Sequence, residues 1–113
     1  RQTPIIPMIE SRAGVDALGE ILQLPGVGMI MEGALDLSLD LDLGPDPLNP
    51  QVWQTLQNMA DACLSAAIPF CANPRTAEQN TLWRARGIRS FLAGEDRGLL
   101  HNALKARLHS LQQ

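Results

Sequence analysis

The chain has 113 residues, of which 45% are hydrophobic, and this length accommodates one domain with a modest core. A formal net charge of −3 and the lack of any Lys/Arg cluster argue against a nucleic-acid surface. The longest apolar runs are too short to span a bilayer and no signal peptide is recognisable, so we expect no membrane partner.

Short apolar runs alternate with amphipathic helical patterns along the chain. The first run, residues 4–9, predicts a strand, although its prolines restrict it to a strand start or an irregular edge. Ser11 is a candidate cap for a helix over 15–22. The run 27–31 is continuous rather than alternating, which predicts a parallel strand that is covered on both faces.

The alternation of Asp and Leu over 36–43 leaves two interpretations open, a half-exposed strand or a helical turn. The proline-rich residues 44–50 predict a loop, and Pro50 suits the first turn of a helix over 51–67. The remaining predicted elements are a strand over 68–72, a helix from a Thr76 cap to Arg86, a strand over 88–93 and a helix over 97–111.

A βα unit therefore repeats four times in one domain, residues 1–113, which implies parallel strands and right-handed crossovers. This order predicts an α/β fold, half of a TIM (β/α)₈ barrel. An open four-stranded sheet is the weaker alternative, because the flavodoxin-like sheet has five strands and no phosphate-binding glycine loop is present. Cys63 and Cys71 match no metal or redox spacing, which favours reduced core thiols in a cytoplasmic protein.

Carboxylates follow two neighbouring strands of this predicted fold, Glu10 after the first strand and Asp36 after the second. Since the carboxyl ends of parallel strands meet at one edge, these two side chains face one pocket. Unpaired, they would repel each other, and a divalent cation removes that conflict. Oxygen ligands favour Mg²⁺, with Mn²⁺ or Ca²⁺ as alternatives, over Zn²⁺. The spacing alone leaves open that both are ordinary residues at helix starts.

Two motifs at this spacing resemble those of the HpcH/HpaI aldolase–citrate lyase family. The first is Met-Ile-Glu-Ser-Arg-Ala-Gly-Val at 8–15, and the second is Glu-Gly-Ala-Leu-Asp-Leu-Ser at 32–38. In that family one strand ends in I-E-T/S-R and the next in G-P-A-D-L-S. Two departures are Ala34, where the family has proline, and Glu32, where an apolar residue is common. The resemblance implies that this chain is the C-terminal half of the barrel.

The same resemblance implies roles for five residues. Glu10 and Asp36 would be the metal ligands, and Gly33, Ala34 and Leu35 would supply backbone contacts to a substrate carboxylate. It also implies that no catalytic residue lies in this half, because the family's histidine base and substrate-clamping arginine belong to the N-terminal half of the barrel.

Three arginines and two histidines complete the candidates. Arg12 follows a metal ligand and is either a second-shell group that orients it or a plain surface residue. Arg75 and Arg97 lie at strand ends, where they could meet an anionic substrate or coenzyme A. His101 and His109, both in the last helix, are expected to face solvent.

The function implied by the resemblance is that of a metal-dependent carbon–carbon bond lyase or aldolase. Its substrate would be a 2-oxo acid, pyruvate or oxaloacetate, handled through a metal-stabilised enolate. The Glu-Asp-Arg-Gly ending at 95–98 is more similar to the branch that makes citrate for siderophores from oxaloacetate and acetyl-CoA, which is the alternative. A non-catalytic half-barrel for assembly and a small ligand-binding domain are further alternatives. Expected partners are the N-terminal half of the barrel and further copies of the chain, as a homo-oligomer.

Overall fold

The computed structural model describes residues 2–113, and its strands form a four-stranded sheet. The strands are β1 Met8–Ile9, β2 Ile30–Glu32, β3 Phe70–Ala72 and β4 Ser90–Phe91. They lie in the order β1-β2-β3-β4, and every neighbouring pair is parallel. The predicted parallel α/β fold is therefore confirmed, with half of the strands of a (β/α)₈ barrel.

The helices differ from the predictions mainly at their boundaries. They are α1 Arg12–Asp16, α2 Leu18–Ile21, α3 Ala34–Asp40, α4 Pro50–Ser65, α5 Ala77–Ala85 and α6 Asp96–Leu111. The segment 36–43, left open between strand and helical turn, is mostly helix. The helix predicted over 15–22 starts earlier, because Ser11 Oγ accepts a hydrogen bond from the Gly14 N–H at 3.1 Å. It is also interrupted at Ala17, which ends α1 and precedes α2.

The strands are shorter than their apolar runs. In the first run, Pro4 and Pro7 have no N–H to donate to a ladder, and an isolated bridge joins Ile5 to Val27 ahead of the regular strands. Regular pairing of β1 with β2 begins at Met8, opposite Met31.

The predicted capping of α5 is confirmed and fixes the loop that precedes it. Thr76 Oγ1 accepts from the Gln79 N–H at 3.1 Å. Gln79 Oε1 in turn accepts from the Arg75 N–H at 2.9 Å, one residue before the cap. This reciprocal pair holds the backbone of Arg75 at the end of β3.

The core lies between the sheet and the apolar stripe of α4. The buried residues of that stripe are Val52, Leu56, Met59, Ala60 and Cys63. Trp83 of α5 joins the same cluster, with ring centroids 4.8 Å from Trp53 and 5.5 Å from Phe70. Both tryptophans therefore serve helix and sheet packing.

Both cysteines are buried and unpaired, as predicted for core thiols. Burial raises the pKa of Cys63 to about 11. Burial also raises the pKa of Cys71, and the nearby Glu32 carboxylate adds to that effect. Neither thiol is therefore a ready nucleophile near neutral pH.

Helix α6 has no buried residue. Its leucines at 100, 104, 108 and 111 are each about 60% exposed, so its apolar stripe does not contribute to this core. No helix within residues 2–113 is both long enough and apolar enough to cross a membrane.

Candidate active site

Glu10, which follows β1, lies directly against Gly33, which follows β2. Ile9 pairs with Glu32, and the Gly33 N–H donates to the Ile9 carbonyl at 3.0 Å, so the next residues along both strands are neighbours. A Cβ atom added at Gly33 would lie 2.6 Å from Glu10 Cβ and 3.2 Å from Glu10 Oε2. The Gly33 φ of −126° is open to other residues, so the need for glycine here is steric. The absence of a side chain at Gly33 therefore leaves the room that Glu10 occupies.

Asp36 stands one helical turn beyond this contact. Gly33 is the N-cap of α3, and Asp36 is the acidic residue of the first turn. Glu10 and Asp36 are both exposed, and neither carboxylate has a hydrogen bond or ion pair with another residue in 2–113. The two predicted metal ligands therefore come to the same edge of the sheet.

The three predicted substrate contacts, Gly33, Ala34 and Leu35, lie at the start of α3 and differ in whether their N–H groups are available. Gly33 donates its N–H to the Ile9 carbonyl, so this group belongs to the sheet. Ala34 and Leu35 occupy the first two helical positions, where backbone N–H groups have no partner inside the helix. The Ala34 N–H instead interacts with the Glu32 carboxylate. The Ala34 side chain is buried, whereas Leu35 is half exposed.

Glu32 is a site residue that the sequence reasoning missed. Its side chain is 0% exposed, and its Oε2 lies 3.1 Å from Arg75 Nη1. Its Oε1 accepts from the Asn73 N–H at 2.7 Å. Arg75 Nη1 also donates to the Asn73 carbonyl at 2.8 Å. Glu32 thus ties the end of β2 to the loop after β3.

A signal for this ion pair was present in the sequence. An acid that ends an apolar run must be paired if it is buried, and an arginine follows the next strand. Burial raises the pKa of Glu32, and the Asn73 N–H and the Arg75 guanidinium only partly oppose it. Desolvation is therefore the larger effect at this carboxyl.

Arg12, Arg97 and the two histidines lie apart from the Glu32–Arg75 ion pair. The Arg12 N–H donates to Asp40 Oδ2 at 2.6 Å, and its guanidinium lies 3.8 Å from the Asp42 carboxylate. These contacts direct Arg12 toward the end of α3. Arg97 is exposed in the first turn of α6, and His101 and His109 are exposed on the same helix, as expected.

Parallel strands followed by helices, with acidic residues at the carboxyl edge, define an α/β protein of the (β/α)₈-barrel kind. The profile of the family described as HpcH/HpaI aldolase/citrate lyase matches residues 1–102. The chain therefore belongs to that family, as its two motifs predicted.

Solved structures and a curated relative agree with this assignment. The citrate synthase SbnG is 36% identical with a TM-score of 0.91, over 97% of this chain and 45% of SbnG. A family protein from Burkholderia cenocepacia J2315, 24% identical, shares the fold with a TM-score of 0.84 over 97% of this chain and 43% of its own. The hydroxypyruvate/pyruvate aldolase of Chromohalobacter salexigens is 37% identical over 62 residues, 55% of this chain and 24% of the aldolase. The chain thus spans less than half the length of each.

The stability that Glu32 contributes should depend on pH. Because its pKa is raised above 4.5 in the folded protein, the folded state keeps this proton to a higher pH than the unfolded chain does. The contribution is therefore fully present below pH 4.5 and falls as the pH rises through the folded-state pKa. In urea titrations we expect the unfolding free energy of the wild type minus that of Glu32→Gln to decrease as the pH is raised from below 4.5. A difference that grows with pH would contradict this.

Proposed function

We propose that this protein acts as a metal-dependent carbon–carbon bond lyase of the aldolase type on a 2-oxo acid such as pyruvate or oxaloacetate. The observation that supports this best is a pair of carboxylates, Glu10 after β1 and Asp36 in the first turn of α3, that make no hydrogen bond or ion pair within residues 2–113. Gly33 leaves room for Glu10 at the end of β2, directly before the helix that carries Asp36. Membership of an aldolase and citrate lyase family supports the reaction class.

The donor set suits a hard divalent cation. Both candidate ligands are carboxylates, and residues 2–113 hold no group of three or more His, Cys, Asp or Glu side chains placed to bind a metal. Two protein oxygens leave positions for water and substrate, an arrangement typical of Mg²⁺, with Mn²⁺ or Ca²⁺ as substitutes. When bound, such a cation supplies Lewis-acid stabilisation of the charge that develops on the keto oxygen of a 2-oxo acid.

The start of α3 would orient the substrate. The Leu35 N–H is the freer donor for the carboxylate of the 2-oxo acid, because the Ala34 N–H also interacts with the Glu32 carboxylate. Gly33 contributes the space that its missing side chain leaves. Arg12 would influence the ligands through α3, since its contacts are with Asp40 and Asp42.

The base and the substrate-clamping arginine that the reaction needs would come from another part of the barrel. The two histidines lie on α6, so the base that moves the proton and the arginine that clamps the substrate are proposed to lie in the N-terminal half of the barrel. Assembly with that half, and as a homo-oligomer, belongs to the same proposal.

A citrate-forming condensation of oxaloacetate with acetyl-CoA is the second candidate, because the likeness to SbnG is strong in both sequence and fold. The two reactions are separable by their products. Thiol release from acetyl-CoA in the presence of oxaloacetate supports the synthase, whereas pyruvate release from a 4-hydroxy-2-oxo acid supports the aldolase.

Removal of either carboxylate should abolish the metal-dependent reaction. In protein expressed from the complete gene, we expect Glu10→Gln and Asp36→Asn each to lower the Mg²⁺-dependent turnover about 100-fold or more, since a lost ligand removes several kcal/mol of transition-state stabilisation. Glu20→Gln on α2 is a matched control for Glu10, because Glu20 is exposed and lies outside both motifs. Both products are followed with and without EDTA. Unchanged turnover in the two site variants would favour a non-catalytic half-barrel.

A side chain at position 33 should weaken metal binding without unfolding the protein. In Gly33→Ala, the new Cβ would lie 2.6 Å from Glu10 Cβ, so Glu10 must shift and its carboxylate moves with it. We expect the Mn²⁺ affinity, measured by calorimetry, to fall about tenfold to 100-fold. Gly19→Ala is the control, since nothing lies within 4 Å of a Cβ there and alanine suits helix α2. Equal affinities in the two variants would show that Glu10 is not a ligand.

A further inference from the structure

A cavity of about 530 Å³ opens beyond the ends of β3 and β4, against the first turns of α6. Its polar lining comes from Asn73, Arg75, Glu95 and Asn102, and Leu99 adds an apolar wall. Neither Glu10 nor Asp36 lines it. It nevertheless lies at the same edge of the sheet, because the register that places Met31 opposite Cys71 makes Asn73 the neighbour of Gly33.

The cationic group that lines this cavity, the Arg75 guanidinium, is held through one of its nitrogens. The Arg75 guanidinium uses Nη1 for both of its protein contacts, the Glu32 carboxylate and the Asn73 carbonyl. Its Nε and Nη2 make no hydrogen bond to any residue from 2 to 113. These two nitrogens share one edge of the planar guanidinium, the edge that binds a carboxylate or a phosphate through two parallel hydrogen bonds.

The residues around Arg75 favour the binding of an anion to its Nε and Nη2. The Arg75 side chain is 21% exposed, so its charge is only weakly screened by water. Glu95 is the acid that lines the cavity, and its carboxylate oxygens accept from the Arg97 and Gly98 N–H groups at the start of α6. Its negative charge is therefore engaged by the helix, and the two asparagines of the lining are neutral.

We propose that this cavity binds the second reactant of the carbon–carbon bond reaction through an anionic group, with Arg75 as the specificity-determining residue. Glu32 is the positioning residue, since it fixes Nη1 and turns the free edge of Arg75 away from itself. The inference rests on the proposed function, and it adds the class of the second reactant, a carboxylate-bearing or phosphate-bearing molecule.

Matched pairs of reactants test the proposal in protein expressed from the complete gene. Glyoxylate and glycolaldehyde are aldehydes that differ in a carboxylate, and acetyl-CoA and acetylpantetheine are thioesters that differ in phosphates. We expect Arg75→Gln to raise the KM of the charged member of one pair by about tenfold to 100-fold, with little change for its neutral partner. An effect confined to glyoxylate identifies a carboxylate, and one confined to acetyl-CoA identifies the coenzyme phosphates.

Two further variants separate positioning from folding. Glu32→Gln keeps an acceptor for the Asn73 N–H but removes the ion pair, and we expect it to raise the same KM by a smaller factor. Arg75→Lys should restore part of the affinity, because it keeps the charge and loses the bidentate edge. Arg107→Gln, an exposed site on α6, is the control. Equal changes in kcat and KM for charged and neutral members would show a merely structural role and overturn the proposal.

If no reactant is turned over, the proposed function fails, but a direct binding measurement still tests the anion site at Arg75. The NMR signal of the Arg75 Nε–H, assigned by its loss in Arg75→Lys, is followed during titration with glyoxylate and with adenosine 3′,5′-bisphosphate. A saturable shift with one of these probes supports the proposal. No shift with either probe refutes it.

Discussion

The close contact between Glu10 and Gly33 is the constraint on which the candidate site depends. A residue that follows β1 can lean over the end of β2 only where no Cβ stands in the way. Gly33 is also the N-cap of α3, so the same glycine that admits Glu10 begins the helix that carries Asp36. The placement of the two residues is thereby set by one strand register and one helical turn.

A second interaction extends this edge to the next strand. Glu32 precedes Gly33 directly, and its buried carboxylate takes the Asn73 N–H and the Arg75 guanidinium. Burial of a charged pair is costly, and it is tolerated where each partner satisfies the other. The position of Glu10 beside Gly33 and the position of Arg75 beside Glu32 therefore both depend on the end of β2. The cavity that Arg75 lines is nevertheless separate from Glu10 and Asp36.

Topology was the predictable part of this structure, and register was not. Continuous apolar runs and helical periodicity suffice for four parallel βα units, and the two acidic motifs follow from strand ends. The segment 36–43 was ambiguous because Asp and Leu alternate there, yet Ala34, Leu37 and Ser38 are buried at helical spacing, a pattern that a window starting at Asp36 misses. The Glu32–Arg75 pair joins residues 43 positions apart, so it required the pairing of β2 with β3.

Paramagnetic relaxation by Mn²⁺ shows whether Glu10 and Asp36 hold one cation between the end of β1 and the start of α3. Substoichiometric Mn²⁺ broadens backbone amide signals according to their distance from the bound ion. If they do, we expect the strongest broadening at Glu10 and at 33–36, with clearly weaker effects at Asp42 and Asp46. Broadening centred on Asp42 and Asp46, or spread evenly over the exposed acids, would contradict it.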